Sequence, residues 1–133
     1  MLRGECSVRT TGRAALIDLT DRLQQAVTGT GVEEGMLVVY NPHTTAALTI
    51  NEGADPDVRH DLLGALQRIV PADYPYRHAE GNSPAHLMCA LTGSSVTIFL
   101  ERGRLRLGTW QRVFFCEFDG PRDRKVWWTI LAG

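Results

Sequence analysis

Residues 111–131 read Gln-Arg-Val-Phe-Phe-Cys-Glu-Phe-Asp-Gly-Pro-Arg-Asp-Arg-Lys-Val-Trp-Trp-Thr-Ile-Leu, and two apolar runs in this stretch decide the fold class. Over 111–118, Phe114, Cys116 and Phe118 alternate with Val113 and Phe115. Over 125–131, Val126, Trp128 and Ile130 alternate with Trp127 and Leu131. A strand with one face in water carries polar residues at every second position. These two strands do not. They need cover on both faces, from a second sheet, from helices or from another subunit, and oligomerisation is the simplest source in a chain this small. Gly120-Pro121 marks the turn between them.

Working towards the N-terminus, strands are expected over 95–101 and 104–107, joined at Arg102-Gly103. A short helix begins after Ser83, with Pro84 at its first turn and Gly93 closing it. A polar loop precedes it from Ala72 to Asn82. Before the loop stands the clearest helix of the chain. Asp55 is its N-cap and Pro56 its first residue, Val58, Leu62, Leu66 and Ile69 form its apolar stripe, and Pro71 stops it. Strands over 36–41 and 46–50, a helix over 20–28 capped by Thr20, and opening strands over 2–9 and 13–19 complete an α+β chain. No linker or repeat divides it, and 133 residues suit one domain, 1–133.

Composition narrows the function classes. Fourteen basic residues against fifteen acidic give a net charge of −1, so no whole-protein field draws in nucleic acid or an anionic membrane. Arginines do gather late, at Arg102, Arg104, Arg106, Arg112, Arg122 and Arg124. Solvated strand edges account for them, as does a local phosphate or carboxylate site. Cys6, Cys89 and Cys116 form no CxxC pair and read as small buried hydrophobes of a reducing compartment. With no leader and no apolar run of membrane length, a cytoplasmic protein is expected.

Chemistry concentrates on histidine. His43 follows Asn41-Pro42 at a strand exit, His78 lies in the polar loop, and His86 falls in the first turn of the helix after Ser83. A single histidine is commonly a hydrogen-bonded structural residue. Three among loop-forming residues also match what a catalytic zinc takes while keeping one position open. Their separations, 35 and then 8 residues, match no short zinc motif. His86 has a second reading, because unpaired N–H groups at a helix start favour an anion, and Ser83 adds a hydroxyl. Glu52, ending a strand, is a candidate base or histidine partner; Glu80 could serve likewise. Asp55 is explained by capping, and His60 lies away from the apolar stripe, facing solvent.

Ordered blocks then carry a resemblance. His43-Thr44-Thr45-Ala46 runs through to Asn51-Glu52, followed by Asp55-Pro56-Asp57-Val58-Arg59-His60-Asp61. Tyr76-Arg77-His78, Glu80-Gly81, Pro84-Ala85-His86-Leu87, Gly108-Thr109-Trp110-Gln111 and Asp119-Gly120-Pro121-Arg122 follow. From about Leu16 to Leu131 the chain resembles the YjbQ-like (UPF0047) family, some of whose members are described as secondary thiamine-phosphate synthases. The resemblance implies a two-sheet β-sandwich with two to three helices, assembled as a homotrimer. It implies that His43, His78 and His86 share one pocket around a metal ion or an anion. The expected site is then His43, Glu52, His78 and His86 as catalytic residues. Thr44, Thr45, Asn51, Ser83, Arg122 and Arg124 would contact substrate, and the three histidines would bind a divalent metal, zinc or magnesium. The ligand would be a small phosphorylated metabolite, with no organic cofactor, nucleic acid or membrane. The runner-up is a non-catalytic phosphate-, metabolite- or metal-binding module. Arg112 departs from the family pattern, standing where many relatives carry glycine, and is expected to narrow or recharge the pocket.

Overall fold

The computed structural model describes residues 2–133 as eight strands and three helices. A five-stranded antiparallel sheet is formed by β1 (Leu2–Arg9), β3 (Gly35–Tyr40), β5 (Ser95–Glu101), β6 (Arg104–Leu105) and β8 (Asp123–Ala132), in the order β1-β8-β3-β5-β6. A three-stranded antiparallel sheet is formed by β2 (Ala15–Asp18), β4 (Ala46–Glu52) and β7 (Gln111–Glu117), in the order β2-β7-β4. The expected α+β two-sheet sandwich is what the chain adopts.

Period-two alternation builds the core. Val8, Leu37, Val39, Ile98, Val126 and Ile130 of the larger sheet meet Ala46, Leu48, Val113 and Phe115 of the smaller one, all buried. Leu23 and Val27 of helix α1 (Thr20–Thr30) close one side of this layer. The other residues of β7, Cys116 and the adjoining Phe118, point outward into a second apolar layer. Ala85 and Met88 of helix α3 (Ser83–Thr92) meet them there, with Leu63 and Leu66 of helix α2 (Pro56–Ile69) beside them. The first apolar run therefore finds its cover within the chain, a second sheet on one side and helices on the other. The second run does not. Trp127 and Leu131 of β8 lie 49% and 44% exposed on the outer face of the larger sheet, next to Met36, Tyr40 and Phe99.

Helix ends differ from expectation in instructive ways. Asp55 caps α2 as its sequence says, its Oδ1 accepting the Asp57 amide at 2.9 Å. Thr20 does not cap α1. It is the first helical residue, and its hydroxyl accepts the Val113 amide at 2.8 Å, tying the helix to β7. Ser83 is likewise the first residue of α3 rather than its cap; Asn82 holds that position and makes no side-chain cap bond. At the β5–β6 turn Arg102 and Gly103 both take positive φ, 53° and 77°, which glycine accepts without cost and arginine does not. Among the described residues no helix is long and apolar enough to cross a membrane.

Candidate functional site

The loop between β3 and β4 is held by one buried side chain. Asn41 donates from Nδ2 to the carbonyls of His43 and Ala46, at 3.0 and 2.8 Å, and its Oδ1 accepts the His43 amide at 3.1 Å. Every Asn41 side-chain group is thereby satisfied inside the loop, which fixes the backbone that carries His43. Its ring continues the sheet ladder. Pairing of β3 with β8 ends at Tyr40 and Trp127, and further along β8 the Lys125 amide donates to His43 Nε2 at 3.0 Å. That bond occupies the Nε2 lone pair, so the neutral ring carries its proton on Nδ1. Burial and then the nearby Arg124 charge lower the pKa of His43 from 6.5. His43 is therefore a neutral hydrogen-bond donor at physiological pH.

Beneath the loop lies a buried ion pair. Arg124, 5% exposed, and Glu117, fully buried, bond at two points, Nε to Oε1 at 2.9 Å and Nη2 to Oε2. The remaining capacity of the carboxylate is filled by the Thr10 hydroxyl at 2.7 Å and the Asp119 amide at 3.1 Å. Burial would raise the Glu117 pKa, but these donors outweigh it and hold the carboxyl below its ordinary 4.5. Arg124 also donates to Thr45 Oγ1 at 2.9 Å, which fixes the floor under the His43 loop. Above it, Arg122 donates to the Asp119 carboxylate and carbonyl at 2.9 and 2.8 Å. The same carboxylate oxygen accepts Asn82 Nδ2 at 2.9 Å, which anchors the start of α3.

These parts enclose an open cleft of about 300 Å³, lined by Pro42, His43, Thr44, Thr45, Glu80, Asn82, His86, Arg122 and Arg124. Its charge is nearly balanced. Arg124 is paired with Glu117 and Arg122 with Asp119, while Glu80 makes no ion pair among the described residues. What the cleft offers a ligand is a set of fixed donors and one uncommitted carboxylate.

The expected residues divide sharply on this geometry. His43, His86, Thr44, Thr45, Arg122 and Arg124 come together as the sequence suggests. His78 reaches the site indirectly: its exposed ring packs edge-on against His86, centroids 5.2 Å apart, and it is absent from the cleft wall. Among the described residues no group of three or more His, Cys, Asp or Glu is arranged to hold a metal ion. With His43 Nε2 bonded to an amide, the residues as placed do not make a three-histidine metal centre.

Glu52 and Asn51 lie elsewhere. The cleft is at the Thr45 end of β4 and Glu52 is at the other end, roughly 20 Å away along an extended strand. Glu52 also has a structural duty that its position in sequence does not reveal, accepting the Asp55 amide at 3.3 Å; Asn51 Oδ1 accepts the Glu52 amide. Ser83 is outside the cleft wall, because helix α3 starts one residue earlier than its Ser-Pro pair suggests. Arg112 is also remote. It pairs across the sheet with Asn51 and binds Asp18 and Asp21 at 2.7 and 3.0 Å, so it neither narrows nor recharges the cleft. Conversely, Asn41, Asn82, Glu117 and Asp119 escape sequence reading. Glu117 had a signal, as the one charge within an otherwise apolar Val113–Phe118 run.

Comparisons with known proteins agree with one another. The sequence model of the UPF0047 protein YjbQ-like family matches residues 4–133. UPF0047 protein YugU of Bacillus subtilis is 46% identical over 94% of this chain and 96% of its own length. UPF0047 protein MJ1081 of Methanocaldococcus jannaschii is 44% identical over 94% of this chain and 91% of its own. Among solved structures, an uncharacterized conserved protein of the YjbQ/UPF0047 family from Clostridium acetobutylicum superposes with a TM-score of 0.93 at 51% identity, covering 96% of this chain and 98% of its own. A hypothetical protein from Aeropyrum pernix K1 superposes with a TM-score of 0.94 at 38% identity, each chain covered in full. With the family pattern matched over nearly the whole chain and the sandwich shared with solved relatives, this protein belongs to the YjbQ-like family, UPF0047.

Proposed function

We propose that the cleft is the active site of a small-molecule enzyme acting on a phosphorylated metabolite, with a transferase reaction of the thiamine-phosphate synthase type among those it suits. The observation that carries the reading is Glu80 beside His43, His86 and Arg122. A cleft that merely held an anion would gain nothing from an unpaired carboxylate, whereas a catalyst uses one to move a proton or to meet a cation. In the transferase reaction a ring nitrogen of one substrate bonds to the methylene carbon of the other as its C–O bond to diphosphate breaks. The departing oxygens take up negative charge, and the protein's part is positioning and charge stabilisation. The His43 Nδ1–H, the His86 ring and Arg122 supply donors for that charge. A diphosphate arrives with its own magnesium, an oxygen-seeking ion to which Glu80 is available.

A binding module is the second reading, and one observation favours it. His43 Nε2 is occupied by the Lys125 amide, so that imidazole takes no proton from a substrate, and the cleft is better supplied with hydrogen-bond donors than with bases. Assay of thiamine-phosphate formation from the aminopyrimidine diphosphate and thiazole phosphate, with magnesium, separates the two. Slow turnover is expected, falling at least roughly tenfold in His43→Ala, about 1.4 kcal/mol of transition-state stabilisation. Glu80→Gln should lose rate while keeping phosphate affinity. No turnover of this pair, or of other diphosphate substrates, combined with retained phosphate binding would favour the module.

A further inference from the structure

The loop between α2 and α3, Pro71–Gly81, is exposed at every residue except the half-buried Tyr76. Its hydrogen bonds are its own. The Tyr76 hydroxyl donates to the Pro71 carbonyl, and the Tyr76 amide donates to the Tyr74 carbonyl at 2.8 Å. The Tyr74 and Tyr76 rings pack together, centroids 5.0 Å apart. Val70 and Asn82, which flank the segment, line one small cavity and so lie close in space. This is the form of an Ω-loop, about 6–16 residues closed at a narrow neck and packed by its own side chains. A segment cross-bonded to itself moves as a unit. Gly81, at φ 78°, provides a pivot beside Asn82, which Asp119 holds in place.

The loop meets the cleft at two points, with Glu80 in the wall and the His78 ring against His86. Arg77 stands one residue before His78, about 3.8 Å from it between Cα atoms. It is exposed and makes no ion pair among the described residues. The cleft lacks such a charge. Its two arginines, Arg122 and Arg124, are committed to Asp119 and Glu117, and Glu80 adds a negative charge to the wall.

We propose that Pro71–Gly81 is a flap that closes over the occupied cleft and brings the Arg77 guanidinium against the ligand's phosphate, an inference that rests on the phosphate reading of the site. Closure breaks none of the loop's internal bonds. The added cation offsets Glu80 where the anion lies, and a guanidinium–phosphate pair gains strength once the cover excludes water. Arg77 then sets the preference for phosphorylated over unphosphorylated ligands, and opening of the flap sets release.

Trypsin and inorganic pyrophosphate, with magnesium, test this. In the free protein trypsin should cut after Arg77, which is exposed in a loop bonded to itself. Saturating pyrophosphate should slow that cut at least about tenfold, with trypsin's rate on a small synthetic substrate unchanged. In calorimetry Arg77→Gln should weaken pyrophosphate binding at least about tenfold and Arg77→Lys should restore most of it, the melting temperature staying the same in both. Pyrophosphate that binds without protecting Arg77, or that binds Arg77→Gln as tightly as the wild type, overturns the flap and leaves the phosphate reading standing. A wild type that does not bind pyrophosphate defeats the phosphate reading, and the inference falls with it.

Discussion

Glu117 is the residue on which the site's architecture turns. It is fully buried, and its charge is balanced by Arg124 alone, with Thr10 and the Asp119 amide completing its hydrogen bonds. Arg124→Ala strands a buried carboxylate and should cost about 3–5 kcal/mol in denaturant unfolding, whereas Glu117→Leu/Arg124→Met together should recover most of it. The pH dependence has a definite sign. The folded pKa of Glu117 is depressed below 4.5, so its stabilisation is fully present above that pH and is lost as pH falls through the lower, folded value. Denaturation curves from pH 3 to 7 should lose this component in Glu117→Gln. His43 behaves in parallel with a higher window. As its folded pKa is lowered from 6.5, its contribution is complete above 6.5 and declines as pH falls below. Nitrogen-15 spectra at pH 7 should show Nδ1 protonated and Nε2 bare; the opposite tautomer would contradict the Lys125 bond. At this scale the sequence was only partly legible. His43, His86 and Arg122 stand out by residue type, but Asn41 and Asn82 matter through their hydrogen-bond partners: those of Asn41 lie within its own loop, which has no regular period to read, and that of Asn82, Asp119, lies 37 residues away.

Secondary-structure elements were legible where a local signal existed and obscure where packing decided. Helix α2 announces itself through Asp55 and Pro56, and its bounds agree with the structure to within a residue or two. Its expected apolar stripe does not hold throughout: Leu63 and Leu66 make the packed face and Ile69 is 66% exposed. The helix buries no residue fully. It rests on the smaller sheet through Leu63, Leu66 and the Arg59 guanidinium, 5.5 Å from the Phe114 ring centroid. A helix held so lightly depends on its cap. Asp55→Ala should cost about 1 kcal/mol and raise hydrogen exchange in the first turn of α2 ahead of the rest of the molecule. Uniform exchange along the chain would show that α2 is held more firmly than its contacts imply. The position of Glu52 shows the limit of reading strands from sequence. His43 and Glu52 are close in number, but β4 runs straight between them and carries each to a different end. Proximity in sequence along a strand becomes distance in space.

For the whole molecule, the open question in the sequence was what covers the apolar strands. Half of the answer is internal, since β7 is enclosed by β-sheet and helices. The outer face of the larger sheet remains, with Tyr40 and Trp127 stacked 5.9 Å apart and Phe99 61% exposed nearby. We propose this face as the seat of association between copies of the chain. Analytical ultracentrifugation at micromolar concentration should give a trimer of the 14.7 kDa chain, and Trp127→Glu should shift it towards monomer with little change in circular dichroism. A wild-type monomer would contradict the proposal. Strand β8 carries a further consequence. It is inserted between β1 and β3, supplies Arg124 to the buried pair, and its Lys125 amide orients His43. Everything that β8 completes precedes it along the chain. A ribosome therefore releases β1 and β3 as unpaired edges, and the larger sheet closes when the last strand threads between them. The cleft is finished in that same event, so a nascent chain has no ligand site to stabilise it before its fold is complete.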